Sequence, residues 1–256
     1  MASRCPRAAA ALGRLAARSG ANEVTHIAPA GFSPHRRMMH RTAMLHDSQD
    51  LTWGTYVSKA YKEAGFSKDA SVSFYDKSAH YYDQLARPGT WLAPFLVANH
   101  AREIVSQRGT APNVARTLDF GAGTGQLGVA LKQEGFETID AVEPSTKMTE
   151  LAPKGTYSEV YMDDKQAGQE SYDLVVSTGV IGTHVDPHGL QALLSKVKVG
   201  GAMVVSCKAC SWQEDGFSDM VNSLSNFNHN ILDGPRPLNK DMPDQMHVIV
   251  ELARVA

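Results

Sequence analysis

The chain has 256 residues, enough for one sizeable α/β domain with its own core. Its 25 basic and 27 acidic side chains leave a formal charge of −2, and no apolar run approaches the roughly 18 residues that a membrane span needs. The near-neutral total hides an asymmetry: residues 1–44 carry seven arginines, no lysine and one acid, Glu23, a charge of +6, so the remainder carries −8. An acidic body repels phosphates rather than releasing their counterions, which makes nucleic acid a disfavoured partner.

The leader is rich in Arg, Ala and Ser and nearly free of acids, the composition of a mitochondrial transit peptide. In "RAAAALGRLAAR", Arg7, Arg14 and Arg18 fall within about 20° of one line on a helix, with Leu12 and Leu15 well off it. Mitochondrial import is the expectation, with cleavage between about Arg37 and Leu45; a disordered leader on a cytoplasmic protein is the alternative. The expected division is a leader over 1–44, a helical cap over 45–110 and an α/β core over 111–256. Three cysteines, Cys5, Cys207 and Cys210, argue against a disulfide framework. The "CKAC" pair supplies half a zinc site at most, which only His229 and His247 could complete, and reads more simply as small residues at a strand end, so no metal is expected.

Residues 50–108 read as helical, with "WLAPFLVANHAREIV" packing beside a sheet. From Arg116 onward, short apolar runs alternate with helical patterns, the mark of a parallel α/β sheet. A first strand, "RTLDF" (116–120), leads to a helix through "QLGVALKQEG", which Gly135 stops. A second strand, "TIDAVE" (138–143), precedes a short helix with Ser145 as its N-cap. A weak third strand spans 159–162, and the fourth, "YDLVVSTGV", is clear. Asp186 and Pro187 start the next helix, where Leu190, Leu193, Leu194 and Val197 form one face and Gly200-Gly201 the end. The fifth strand, "AMVVSC", a helix near 217–226, the turn-rich "DGPRPLNKDMPD" and a last strand, "MHVIVELAR" (246–254), complete the chain.

"LDFGAGTGQLG" (118–128) carries two glycine patterns, G-x-G-x-x-G for a dinucleotide and D-x-G-x-G-x-G for S-adenosyl-L-methionine. Both ligands use a strand feeding a glycine-rich turn into a helix, so spacing alone separates them poorly. Asp119 at the end of the strand would repel a pyrophosphate but favours an ammonium and a sulfonium. Glu143, ending the second strand, can accept from ribose hydroxyls in either case. After the turn-rich stretch too little chain remains for a second catalytic domain, as a hydride-transferring enzyme usually needs. The methyl donor is favoured over nicotinamide; an NAD-dependent oxidoreductase is the remote alternative.

"LDFGAGTG", "VEPS" followed by Met148, "YDLVVSTGV" and "VKVGGAMVV" resemble, in order and spacing, the motifs of class I S-adenosylmethionine-dependent methyltransferases, over about residues 75–256. Just upstream, "FYDKSAHYYDQ" resembles the methyltransferase-like proteins of the Williams–Beuren region. The resemblance implies a Rossmann-like α/β fold: a seven-stranded, mostly parallel sheet of order 3-2-1-4-5-7-6, the final strand antiparallel, helices on both faces and an N-terminal helical extension. It assigns Asp119, Gly121, Ala122, Gly123 and Gly125 to the loop around the methionine moiety, Glu143 and Pro144 to the ribose, and Ser145 and Met148 to the adenosine. Asp163 matches the acid that meets the adenine, although "YMDDKQ" offers Asp164 as well. Ser177, Thr178 and Gly179 border the transferring methyl, and Tyr75 and Tyr82 close over the cofactor. Met148, Tyr75 and Tyr82 could equally serve as packing, and Asp163 as a solvated turn acid.

The sulfonium is already an activated electrophile, so the protein must hold the acceptor in line and exclude water. His184, in "GVIGTHVDP", is the candidate base, with a polar loop histidine as the plainer alternative. The fourth strand's exit lacks the Asn/Asp-Pro-Pro-aromatic motif of enzymes that methylate amino groups of bases, which with the acidic body points to a small-molecule acceptor, less so a protein side chain. A non-catalytic donor-binding or assembly protein is the rival from another class.

Overall fold

The computed structural model describes residues 67–255 together with Thr55, Tyr56 and Lys59. The leader, with the targeting helix and cleavage boundary expected in it, and Cys5 lie outside the described residues. The elements run α1 (Lys68–Leu85), α2 (Ala93–Gln107), β1 (Thr117–Phe120), α3 (Gln126–Gln133), β2 (Ile139–Val142), α4 (Thr146–Thr149), β3 (Val160–Tyr161), β4 (Tyr172–Ile181), α5 (Pro187–Leu194), β5 (Val197–Lys208), α6 (Ala209–Glu214), α7 (Phe217–Asn222), β6 (Phe227–Pro237) and β7 (Met246–Arg254). A 3-10 turn at Asp164–Gln166 joins β3 to β4.

The strands form one seven-stranded sheet of order β3-β2-β1-β4-β5-β7-β6, the order the sequence resemblance implies. β1 to β5 run parallel, and β7 lies antiparallel to both β5 and β6. Strands covered on both faces need near-continuous apolar runs, and Leu174, Val175 and Val176 of β4 and Met203, Val204 and Val205 of β5 are all fully buried. On α2, Val97, Ala98, Ala101, Ile104 and Val105 make one buried stripe. α5 begins as expected: the Asp186 carboxylate accepts from the Gly189 N–H at 2.8 Å, and Pro187 occupies the first turn. Its buried Leu190, Leu193 and Leu194 stabilise the packing by about 1.5–3 kcal/mol each.

Two expectations are corrected. Val197 does not continue α5; it opens β5, where it pairs with Tyr172, and a register shift follows before Ala202 meets Leu174. Gly200 sits inside that shift with φ +80°, so the Gly-Gly pair bulges a strand instead of ending a helix. The first half of the turn-rich stretch belongs to β6, with shifts around Asp233. β6 is an edge strand, where a proline's missing N–H disturbs no ladder. The "CKAC" pair joins β5 to α6; burial pushes the Cys207 thiol up to about 12, which makes it inert at neutral pH.

Candidate functional site

The strand order reverses between β1 and β4, and a crevice opens at their carboxyl ends. Leaving β1, the N–H groups of Gly121 and Ala122 donate to the Val142 carbonyl at 2.8 and 3.2 Å, which pins the glycine loop to β2. Gly121 has φ +73°, and a Cβ there would overlap the Val180 side chain, so neither conformation nor space admits another residue. A Cβ on Gly123 would meet only Met148 Cε, at 3.7 Å, leaving that backbone open to a ligand. The resulting cleft is about 250 Å³.

Of the sequence-predicted residues, Tyr75, Tyr82, Gly121, Gly123, Glu143, Pro144, Met148, Asp163, Thr178, Gly179 and His184 line this cleft together. Asp119, Ala122, Gly125, Ser145 and Ser177 are not among its lining residues. Gly125 is the left-handed N-cap of α3, Ser145 caps α4 through the Met148 N–H, and the Ser177 hydroxyl donates to the Phe120 carbonyl at 2.8 Å. Each of these builds the loops that carry the lining residues.

Asp119 lies furthest from solvent among the acids singled out in the sequence. It is 1% exposed and lies beneath the loop, where it accepts from the Tyr157 hydroxyl at 2.7 Å and from the Gly128 N–H. Burial first, and the nearby Glu143 charge after it, push its carboxyl up to about 7, against the partial relief of the Tyr157 bond. A carboxyl so placed braces the loop from below and is not among the residues that line the cleft. Of the two strand-end acids, Glu143 is the one that lines the cleft. Its Oε2 accepts from Gly123 N–H and its Oε1 from Ser145 N–H, both at 2.9 Å, while burial raises its pKa.

The rim is built differently. Asp163 caps the 3-10 turn in a reciprocal box with Gln166 and pairs with Lys68 of α1 at 2.6 Å. The Lys68 ammonium, helped by the Lys165 N–H, holds its carboxyl down at about 2. Asp164 lines the cleft beside it, and its carbonyl accepts from the buried Lys196 ammonium at 2.6 Å. Across the cleft, the Tyr75 hydroxyl and His184 Nε2 lie 2.8 Å apart, with the rings edge to face. Burial holds His184 down at about 4, so it is neutral at pH 7.

Lys68, Ser71, Val72, Phe120, Met162, Val180 and Val185 also line the cleft and were not anticipated. The first three were within reach: Lys68, Ser71, Val72 and Tyr75 repeat at i, i+3, i+4, i+7, one helix face. Phe120 and Val180 lie within the motifs already singled out, "LDFGAGTG" and "YDLVVSTGV". Tyr157 and Lys196 left no signal, because they act on residues distant in sequence.

Residues 91–229 match the model of a family described as a methyltransferase domain, and the chain belongs to that family. No curated protein matches the chain in sequence. Among solved structures, the chain is similar to a candidate S-adenosyl-L-methionine-dependent methyltransferase of Methanococcus maripaludis, at 16% identity and TM-score 0.52, over 71% of this chain and 94% of that one. It is also similar to the plantazolicin methyltransferase BpumL, crystallised with a monoazolic desmethylPZN analog and SAH, at 13% identity and TM-score 0.53, over 80% of this chain and 98% of that one. At such identity these likenesses bear on the fold.

Proposed function

We propose that this protein transfers the methyl group of S-adenosyl-L-methionine to a small-molecule acceptor. The carrying observation is the charge of a glycine-floored cleft: Glu143, Asp163 and Asp164 line it against a single ammonium, Lys68, among the described residues. That balance suits a cationic donor and opposes a pyrophosphate. The open Gly123 backbone accommodates the donor's amino-acid end, Glu143 the ribose, Met148 the adenosine, and Asp163 or Asp164 the adenine. When bound, the donor supplies an already activated methyl group.

What remains for the chain is orientation and the exclusion of water, which can be worth roughly 7–11 kcal/mol. Tyr75 and Tyr82 roof the cleft, while Thr178 and Gly179 border the transfer point. His184, kept neutral by burial, orients the Tyr75 hydroxyl. An imidazole held near 4 is a weak base, which favours an acceptor atom that needs positioning more than deprotonation. The Tyr-Asp repeat supports the narrower resemblance to the Williams–Beuren-region proteins, and the arginine-rich leader supports mitochondrial import.

Calorimetry with S-adenosyl-L-methionine and with NADH tests the donor: heat with the first and none with the second is expected, and the reverse overturns the proposal. Labelled donor incubated with mitochondrial extract tests turnover, and label in a low-molecular-weight fraction is expected. Donor binding with no labelled product would select the non-catalytic rival. Residues 1–44 fused to a fluorescent protein test the address, and a fusion that stays in the cytoplasm refutes it.

A further inference from the structure

Helix α1 holds a repeat that the cleft uses only by half. Tyr75-Asp76 and Tyr82-Asp83 lie seven residues apart, two turns, so the tyrosines share one face and the aspartates another. The tyrosines line the cleft. Asp83 Oδ1 accepts from the Thr124 hydroxyl at 2.6 Å and from Gln126 Nε2 at 2.9 Å, both beside the glycine loop. Asp76 Oδ1 accepts from the Ser145 hydroxyl at 2.6 Å and from the Lys147 N–H at 3.3 Å, in the segment after β2. These two segments supply the amides that fix Glu143: Gly123, the neighbour of Thr124, on one oxygen and Ser145 on the other. The bonds close a ring from Glu143 through Gly123, Thr124 and Asp83 into α1, and back through Asp76 and Ser145.

We propose that Asp76 and Asp83 are positioning residues that tie α1 to the Glu143 carboxylate, so that helix docking and donor binding are one coupled event. Moving α1 moves both segments and with them the carboxylate; a donor held by Glu143 stiffens the ring and seats the two tyrosines. Charge-assisted bonds are the stronger kind, so four of them on two carboxylates suffice for such a link. The coupling, though not the ring, rests on the reading of the cleft as a donor site.

The test uses Asp76→Ala, Asp83→Ala and the double variant; Ala favours a helix more than Asp, so unwinding of α1 is not what these changes cause. In the ligand-free protein, amide exchange at Gly123 and Ser145 is expected to rise about ten-fold or more in the double variant, as local opening becomes easier. By calorimetry, S-adenosylhomocysteine is expected to bind about ten-fold more weakly to each single variant, and the double variant to fall well short of hundred-fold because both act on one carboxylate. Asp83→Asn, which keeps an acceptor oxygen, recovers part of the loss, and Asp69→Asn, on the same helix but outside the ring, changes neither readout. Unchanged exchange at both amides in the double variant overturns the proposal, as do fully additive losses of affinity. If the unsubstituted protein gives no heat with S-adenosylhomocysteine while exchange still rises, the donor reading fails and the coupling fails with it, and the ring stands as architecture alone.

Discussion

Asp119 under the cleft and Asp163 at its rim are the same side chain in two surroundings. Below the glycine loop, burial holds Asp119 at about 7 with a tyrosine for a partner. At the rim, Lys68 holds Asp163 at about 2 with water on one side. The floor is thus made from core strands, and its acids work as fixed hydrogen-bonding struts. The rim is made where α1 meets the segments that leave the sheet, and Asp163 there stays charged and half-exposed beside Lys68.

The most damaging change to the floor is expected at Gly121. Gly121→Val forces a side chain into left-handed backbone and into Val180, and donor binding should fall by at least about 100-fold in calorimetry. A variant that binds normally would show that the floor is not rigid. Glu143→Ala comes next, with about 10- to 100-fold weaker donor binding, and also about 1–3 kcal/mol of lost stability because the buried Ser145 amide and the half-buried Gly123 amide lose their acceptor. Chemical denaturation measures the second effect independently of any ligand.

Asp119→Asn sharpens the comparison through pH. Its carboxyl lies near 7 in the folded protein against an ordinary 3.8, so the folded state holds an extra proton between those values. That contribution to stability is fully present below about pH 4 and is lost as pH rises through about 7, at no more than about 1.4 kcal/mol per unit. The thermal midpoint of the unsubstituted protein should therefore decline relative to Asp119→Asn across that window and run parallel to it above. Parallel curves throughout would place Asp119 among ordinary exposed acids.

The smallest effect is expected at the rim. Lys68→Ala removes an exposed ion pair, and such pairs contribute little. Donor affinity should change by less than about three-fold, and less still at high salt. A larger loss would mean that Lys68 contacts the ligand directly.

The strands β1, β2, β4 and β5, the cap of α5 and the glycine loop were legible in the sequence because each depends on neighbours a few residues away: apolar runs, an Asp-Pro start, a strand ending in glycines. The order of the strands is not local, and it was implied only by the resemblance to class I methyltransferases. β6 was not legible, since its prolines and glycine read as turns until a free sheet edge excuses them. Val197 is concealed for a related reason: it continues the helical spacing of α5, and only pairing with Tyr172 draws it into a strand.

The sequence by itself determined the fold family and the segments that meet at the cleft. Which way each acid points was decided only by the tertiary structure. Asp119 and Glu143 each close a parallel strand in sequence, and nothing local says that one is sealed beneath the loop by Tyr157 while the other is held toward the cleft by Gly123 and Ser145. Burial and long-range hydrogen bonds set those orientations and charge states, and both come from residues that the chain brings together only on folding.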